Sequence, residues 1–406
     1  MKMDKRFTQV LRDLFEELLD EENLETALAG SLELVGRTLE SEVGVLWLLD
    51  KKTNRLVPMF QMGPIDLSNV SLEMTDSVES YVTRTGESVL TGSTAADERF
   101  SGSFLEEYGV SASSMLCVPL NAIDEVIGCM QLVNRKDAAP FTDDELTLCQ
   151  RLAALIAMTV GEKGLEVNAG EKKEVLISLR GVTKEFPSGE GVVKVLKGID
   201  LDIYRGEFLV VLGESGCGKS TMVNIIGGMD FLTDGTLTIG GQDFSHPTEN
   251  ELTKYRREYL GFVFQSYNLM PNLTAQENVQ FIADLVPNAM SAAEAIDMVG
   301  LTERANNYPA ALSGGQQQRV AIARSFVKRP QVIFADEPTA ALDYQTSIEV
   351  LSVFENIMRH HNTTVVMITH NPEIAKMASR VVKLKNGRVA SIKVNLTPAH
   401  ATELVW

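Results

Sequence analysis

Two short segments of this 406-residue chain hold residue types suited to phosphate chemistry. In Gly213-Glu-Ser215-Gly216-Cys217-Gly218-Lys219-Ser220-Thr221, glycines let backbone N–H groups converge on phosphate oxygens, Lys219 can reach β- and γ-phosphates, and Ser220 can ligate Mg²⁺. Roughly a hundred residues later, Leu312-Ser313-Gly314-Gly315-Gln316 offers a second grip on the same nucleotide. Each segment occurs once, which points to an ATPase that works as a pair of chains. A third segment, Val332-Ile-Phe-Ala-Asp336-Glu337, is an apolar run ending in two adjacent carboxylates. Asp336 suits a Mg²⁺ contact, and Glu337 can orient and polarise an attacking water. The plainer alternative is that both carboxylates only cap the turn at Pro338.

The elements that must position these groups can be read around them. Phe208–Leu212 has the composition of a buried strand, the glycine-rich segment is the turn, and Ser220–Ile226 starts a helix. Strand, GxxxxGK[ST] loop and helix therefore stand in the required order. Val332–Ala335 and Thr364–Thr369 read as further apolar strands, the latter leading into His370. A boundary lies near residue 170: an amphipathic helix over Asp143–Val160 runs into a charged, glycine-bearing stretch, and Val175–Leu179 opens a new strand. The expected division is 1–165, a linker at 166–174, and 175–406.

Charge and composition narrow the class. Residues 1–165 carry 14 Lys+Arg against 28 Asp+Glu, and the remainder 23 against 27. With no clustered basic stripe in either part, composition argues against a nucleic-acid partner. No run of eighteen uncharged apolar residues appears and Met1–Phe7 has no apolar leader core, so a cytoplasmic chain is expected. The four cysteines, Cys117, Cys129, Cys149 and Cys217, fit no zinc spacing and read as reduced thiols.

Taken in order, the P-loop, Gln265, Leu312–Gln316, Asp336-Glu337, Ala341-Leu-Asp343 and Thr369-His370 resemble the nucleotide-binding subunit of an ABC transporter, over roughly residues 174–392. Linking segments such as Ile225–Asp230, Gly261–Gln265, Asn268–Leu273 and Glu277–Val279 are similar to the macrolide-exporter, lipoprotein-releasing and cell-division subgroup. The resemblance implies a P-loop α/β ATPase domain with an α-helical signature subdomain, using ATP and Mg²⁺. It implies that Gly213, Ser215, Gly216, Cys217, Gly218, Lys219, Ser220 and Thr221 hold phosphates, and that Ser220, Gln265 and Asp336 meet Mg²⁺. Glu337, His370 and Gln265 would be catalytic, with His370 at the γ-phosphate. Asp343 would contact the opposite subunit's P-loop. Phe186 is the candidate for stacking on adenine, where a turn anchor is the plainer alternative. Ser313, Gly314, Gly315 and Gln316 would close over the other chain's ATP in a head-to-tail homodimer. Cys217 is a small filler of the P-loop or a redox-sensitive thiol.

The N-terminal part has an α+β pattern. Helical spacing over Phe7–Leu18 precedes strand-like Val43–Leu49, Met115–Leu120 and Val126–Val133. The order of Gly86–Leu90, Asp97–Phe100, Ser114–Leu120, Glu125–Gly128, Gln131–Asn134 and Phe141–Glu145 resembles a GAF sensory domain. Asn134-Arg135, and two residues between Phe141 and Asp144, depart from the cyclic-nucleotide-binding pattern. All five histidines, His246, His360, His361, His370 and His400, lie in the second part, which excludes a histidine-ligated haem in the first. Cys117 and Cys129 read as core residues. The ligand stays open, and so does a role in dimerisation alone.

Two functions are weighed. One is an ATPase subunit on the inner face of the cell membrane, driving a separately encoded permease of the export or lipoprotein/peptide-release type under control of the GAF-like domain. The other is a soluble ABC ATPase with a non-membrane partner, in which the GAF-like domain dimerises the chain.

Overall fold

The computed structural model describes residues 24–92, 97, 105, 108, 110–123, 125–163, 173–189, 191–395 and 398–406. The helix expected over Phe7–Leu18, most of Asp97–Phe100 and most of the expected linker lie outside the described residues. The chain divides into two compact units, Met1–Lys173 with Ala390–Val394, and Glu174–Val389 with Asn395–Trp406. The second unit thus differs from the unbroken 175–406 expected. Ser391–Lys393 pair antiparallel with Phe60–Met62, and ladder hydrogen bonds take no account of distance along the chain.

The first unit runs α1 (Leu24–Thr38), β1 (Ser41–Asp50), β2 (Arg55–Met62), β3 (Leu72–Glu73), α2 (Val78–Thr85), β4 (Val89–Thr91), β5 (Met115–Asn121), β6 (Val126–Arg135) and α3 (Asp143–Lys163). Its antiparallel sheet has the order β2-β1-β6-β5-β4, with β3 beside β2. Val43, Val45 and Trp47 face a core shared with Val78 and Val82 of α2, while Leu46 and Leu48 on the opposite face are also buried. A sheet covered on both faces needs no polar alternation, which is why β1 reads as a continuous apolar run. Cys117 and Cys129 belong to this core, and burial holds the Cys117 thiol well above its ordinary pKa. All four cysteines are free and buried.

The second unit contains β7 (Val175–Ser188), β8 (Gly191–Tyr204), β9 (Phe208–Leu212), α4 (Lys219–Ile226), β10 (Asp234–Ile239), β11 (Gln242–Asp243), α5 (Glu249–Glu258) and β12 (Leu260–Val263). It continues through α6 (Ala275–Ala283), α7 (Ala292–Met298), α8 (Gly314–Phe326), β13 (Val332–Asp336), α9 (Tyr344–His361), β14 (Thr364–Ile368) and β15 (Arg380–Lys385). The strand β16 (Arg388–Val394) follows, and its residues Ala390–Val394 belong to the first unit. A parallel sheet ordered β12-β13-β14-β9-β15 places β9 between two neighbours, and an antiparallel sheet β11-β10-β7-β8 stands apart from it in strand order. The α6–α8 segment is the helical part. Each of its helices begins with a capping box, Thr274 with Glu277, Ser291 with Glu294 and Ser313 with Gln316, so serine or threonine accepts an orphan N–H and Glu or Gln returns the bond. Among the described residues no helix is long and apolar enough to cross a membrane.

Candidate functional site

β9 delivers the chain into the glycine-rich turn, and α4 starts at Lys219 with Gly218 as its cap. Gly218 has φ 106°, and a Cβ there would stand 2.7 Å from Leu196 Cδ2, so both backbone and space demand glycine. Lys219 is buried and its Nζ donates to the carbonyl oxygens of Gly213 (2.6 Å) and Glu214 (3.0 Å). Ser215, Gly216, Gly218, Lys219, Ser220 and Thr221 line a cavity of about 490 Å³, together with Asp336, Glu337 and His370. Convergent donors, a buried cation and a helix N-terminus make this an anion cradle.

The parallel strands β13 and β14 bring the carboxylates to that cavity. Asp336 is in register with Ile368, and the Glu337 N–H donates to the Ile368 carbonyl at 3.0 Å. Glu337 has φ 48°, the left-handed region, which costs a non-glycine residue about 1–3 kcal/mol and turns the chain sharply after the strand. Its Oε1 lies 3.0 Å from His370 Nδ1. Burial, then the neighbouring Glu337 charge, raise the Asp336 pKa, while a hydrogen bond from Ser220 and the charge of Lys219 oppose the shift. Two crowded carboxyls beside a hydroxyl favour a cation between them and bound phosphate.

Other expected residues stand outside this cavity lining. Ser313 is the exposed N-cap of α8, accepting the Gln316 N–H at 3.3 Å. A Cβ on Gly315 would sit 1.9 Å from Thr346 Cγ2, and one on Gly314 would sit 2.8 Å from the Tyr267 hydroxyl. The two glycines therefore let α8 approach the start of α9 and the loop after β12. Asp343 caps α9 by accepting from Thr346 N (2.9 Å) and Oγ1 (2.8 Å), and these bonds, the backbone one first, lower its pKa. Gln265 is exposed just beyond β12. Phe186 is 39% exposed, with Lys184 Nζ 4.9 Å from its ring centre. Cys217 is buried, its Sγ 2.6 Å from where a Gly213 Cβ would stand, so it fills the loop's interior.

Sequence reasoning missed Val195 and Ile368, which also line the cavity. Ile368 sits in an apolar run and Val195 in a lysine-flanked apolar pair, where nothing distinguishes a lining residue from a core residue. It also missed a polar network inside the first unit. Trp47 Nε1 donates to Gln131 Oε1 at 3.0 Å, and Gln131 Nε2 donates to the Glu79 carboxylate. Gln131 is fully buried and Glu79 is 2% exposed, and burial raises the Glu79 pKa.

Comparison with known proteins agrees with this geometry. Residues 196–340 match the family model described as ABC transporter, and residues 23–160 the one described as GAF domain. The chain is 41% identical over 237 residues to the putative ABC transporter ATP-binding protein MG065 homolog of Mycoplasma pneumoniae, which spans 58% of this chain and 51% of that protein. It is 42% identical over 232 residues to the macrolide export ATP-binding/permease protein MacB of Escherichia coli K12, covering 55% of this chain and 36% of that protein. The chain thus spans about half the length, or less, of these curated relatives. Among solved structures it is similar to the dimeric ATP-binding cassette MJ0796 in a post-hydrolysis state bound to ADP and Pi. That match has 41% identity and a TM-score of 0.51, covering 54% of this chain and 98% of that one.

Proposed function

Because this chain belongs to the ABC transporter family and carries a GAF domain before its cassette in the sequence, we propose that it is an ATP-hydrolysing subunit that pairs with a second copy on binding ATP. The pair drives a separately encoded membrane permease of the export or lipoprotein- and peptide-release kind, on the inner face of the cell membrane, under control of the GAF domain. The observation that carries this reading is the separation, within one chain, of the phosphate cavity from Ser313, which stands exposed on a different helix. A second chain turned head to tail offers its Ser313, Gly314 and Gly315 to this chain's cavity.

The residues divide the work by their chemistry. Lys219 exchanges two loop carbonyls for β- and γ-phosphate oxygens. Ser220 and Asp336, already hydrogen-bonded, fit Mg²⁺, with Gln265 as a further candidate ligand from its exposed loop. When bound, Mg²⁺ neutralises charge developing on the phosphates. Glu337 orients a water and takes its proton, and the 3.0 Å contact from His370 fixes the direction of that carboxylate. Phe186, backed by the Lys184 cation, stacks on adenine. Asp343 holds the turn that faces the partner copy. Phe281 and Leu285, one turn apart and each about half exposed, support a docking face for the permease on the helical part.

The direct test is Glu337→Gln. This variant is expected to bind ATP with little change and to accumulate as an ATP-bound dimer by light scattering. Its turnover is expected to fall about 100- to 10,000-fold, the usual span for loss of a general base. Hydrolysis at the parent rate would remove Glu337 from the mechanism.

A further inference from the structure

The loop that carries Gln265 is bent in a way its sequence does not favour. Tyr267 and Asn268 are consecutive non-glycine residues at φ 55° and 51°, and the Asn268 N–H donates to Ser266 O at 2.5 Å, closing a three-residue turn about Tyr267. Asparagine tolerates the left-handed region; a bulky tyrosine does not, and a turn of this hand is rare and strained. Such a conformation persists only where its surroundings over-determine it.

Those surroundings are one helix. On α8, Arg324 Nη1 donates to Asn268 O at 2.5 Å and Nη2 to Tyr267 O at 2.9 Å, so one planar fork grips the carbonyls of both strained residues. Two turns earlier, the fully buried Gln318 donates to Phe264 O at 3.3 Å. At the helix start, Gly314 leaves room for the Tyr267 hydroxyl. Burial works against the Arg324 charge, so this placement is maintained against a cost.

We propose that Arg324, assisted by Gln318, is a positioning residue that locks the Gln265 loop onto the signature helix, so that Gln265 and the Ser313 offered to the partner copy move as one body. The proposal rests on the reading of the chain as an ATP-driven dimer. It places control of dimer closure in a contact that touches neither ATP nor the reacting water. A lysine presents a rotatable point charge in place of the planar fork, so it holds the two carbonyls less rigidly.

The test uses the full chain. Arg324→Gln and Arg324→Lys are made in the parent, for turnover and ATP affinity, and in the Glu337→Gln background, for ATP-dependent dimerisation and amide exchange. ATP affinity is expected to stay within about twofold, while dimerisation and kcat fall together by about tenfold or more in Arg324→Gln and by less in Arg324→Lys. Amides of 266–268 should exchange at least about tenfold faster, with those of 318–323 on the helix unchanged. Unchanged dimerisation and turnover would overturn the proposal. So would a parallel loss of ATP binding and helix protection, which marks general destabilisation. If Arg324→Gln yields no folded chain, Arg324→Lys decides by the same outcomes. Failure of Glu337→Gln itself to dimerise on ATP would instead sink the underlying reading.

Discussion

The phosphate cavity of the second unit and the interior of the first both gather polar side chains beside buried strands, and they leave those side chains in opposite states. Around the cavity, Lys219, Asp336, Glu337 and His370 face about 490 Å³ of open space. In the first unit, Trp47, Gln131 and Glu79 satisfy one another among apolar neighbours. The contrast shows how polar groups are tied to purpose. Groups whose partners arrive from outside are aimed at the cavity by glycines and by left-handed backbone at Glu337, and meanwhile bond to loop carbonyls and to one another. Groups whose partners are internal need only burial and mutual hydrogen bonds, and they specify packing.

Substitutions on each side of this contrast should behave differently. The largest effect is expected for Lys219→Ala: ATP affinity should fall about 100-fold, the loss expected for charge-assisted bonds to phosphate, with thermal stability nearly unchanged. Equilibrium ATP binding and a melting curve check both halves, and a large drop in melting temperature would make Lys219 structural. Next comes Gln131→Leu, which removes from the core the acceptor of the Trp47 N–H and one donor to the Glu79 carboxyl. Stability of the first unit should fall by about 3 kcal/mol while ATP binding survives. An unaltered melt would mean that the network is not a packing device.

The smallest effect concerns pH. Burial raises the Glu79 pKa in the folded chain, so the stability its protonated form contributes is complete below the ordinary carboxylate range and is lost as pH rises through the raised value. Glu79→Gln should remove that loss, flatten the dependence and add about 1 kcal/mol at neutral pH. Melting curves across pH decide it; a variant with the parent's slope would exclude Glu79 as its source.

The same contrast governs what the sequence can disclose. Gly218 and Lys219 are legible because phosphate geometry demands glycine and lysine at fixed spacing. Leu312–Gln316 is legible as a signature segment, while its use as the capping box that starts α8 emerges only with the structure. Glu337 is legible as a carboxylate at a strand end, but its left-handed backbone is not, since glutamate has no preference for it. Gln131 lies in an apolar run with nothing local to mark its partners, and only the meeting of β1, β6 and α2 shows that it bridges Trp47 and Glu79. Nothing local marks Arg324 for its task, because the carbonyls it grips lie 56 and 57 residues upstream. Ser391–Lys393 carry no local mark of their pairing with β2. Contacts set by a ligand or by neighbouring residues are written locally; contacts set by tertiary closure are not.

The central claim is that each working site is assembled from two chains. The measurement is ATP hydrolysis by Lys219→Ala and Ser313→Arg chains, each alone and mixed. Each variant alone should be close to inactive, because every site it forms lacks one half. The mixture should recover activity through at most one intact site per dimer. Full activity of either variant alone would contradict the account.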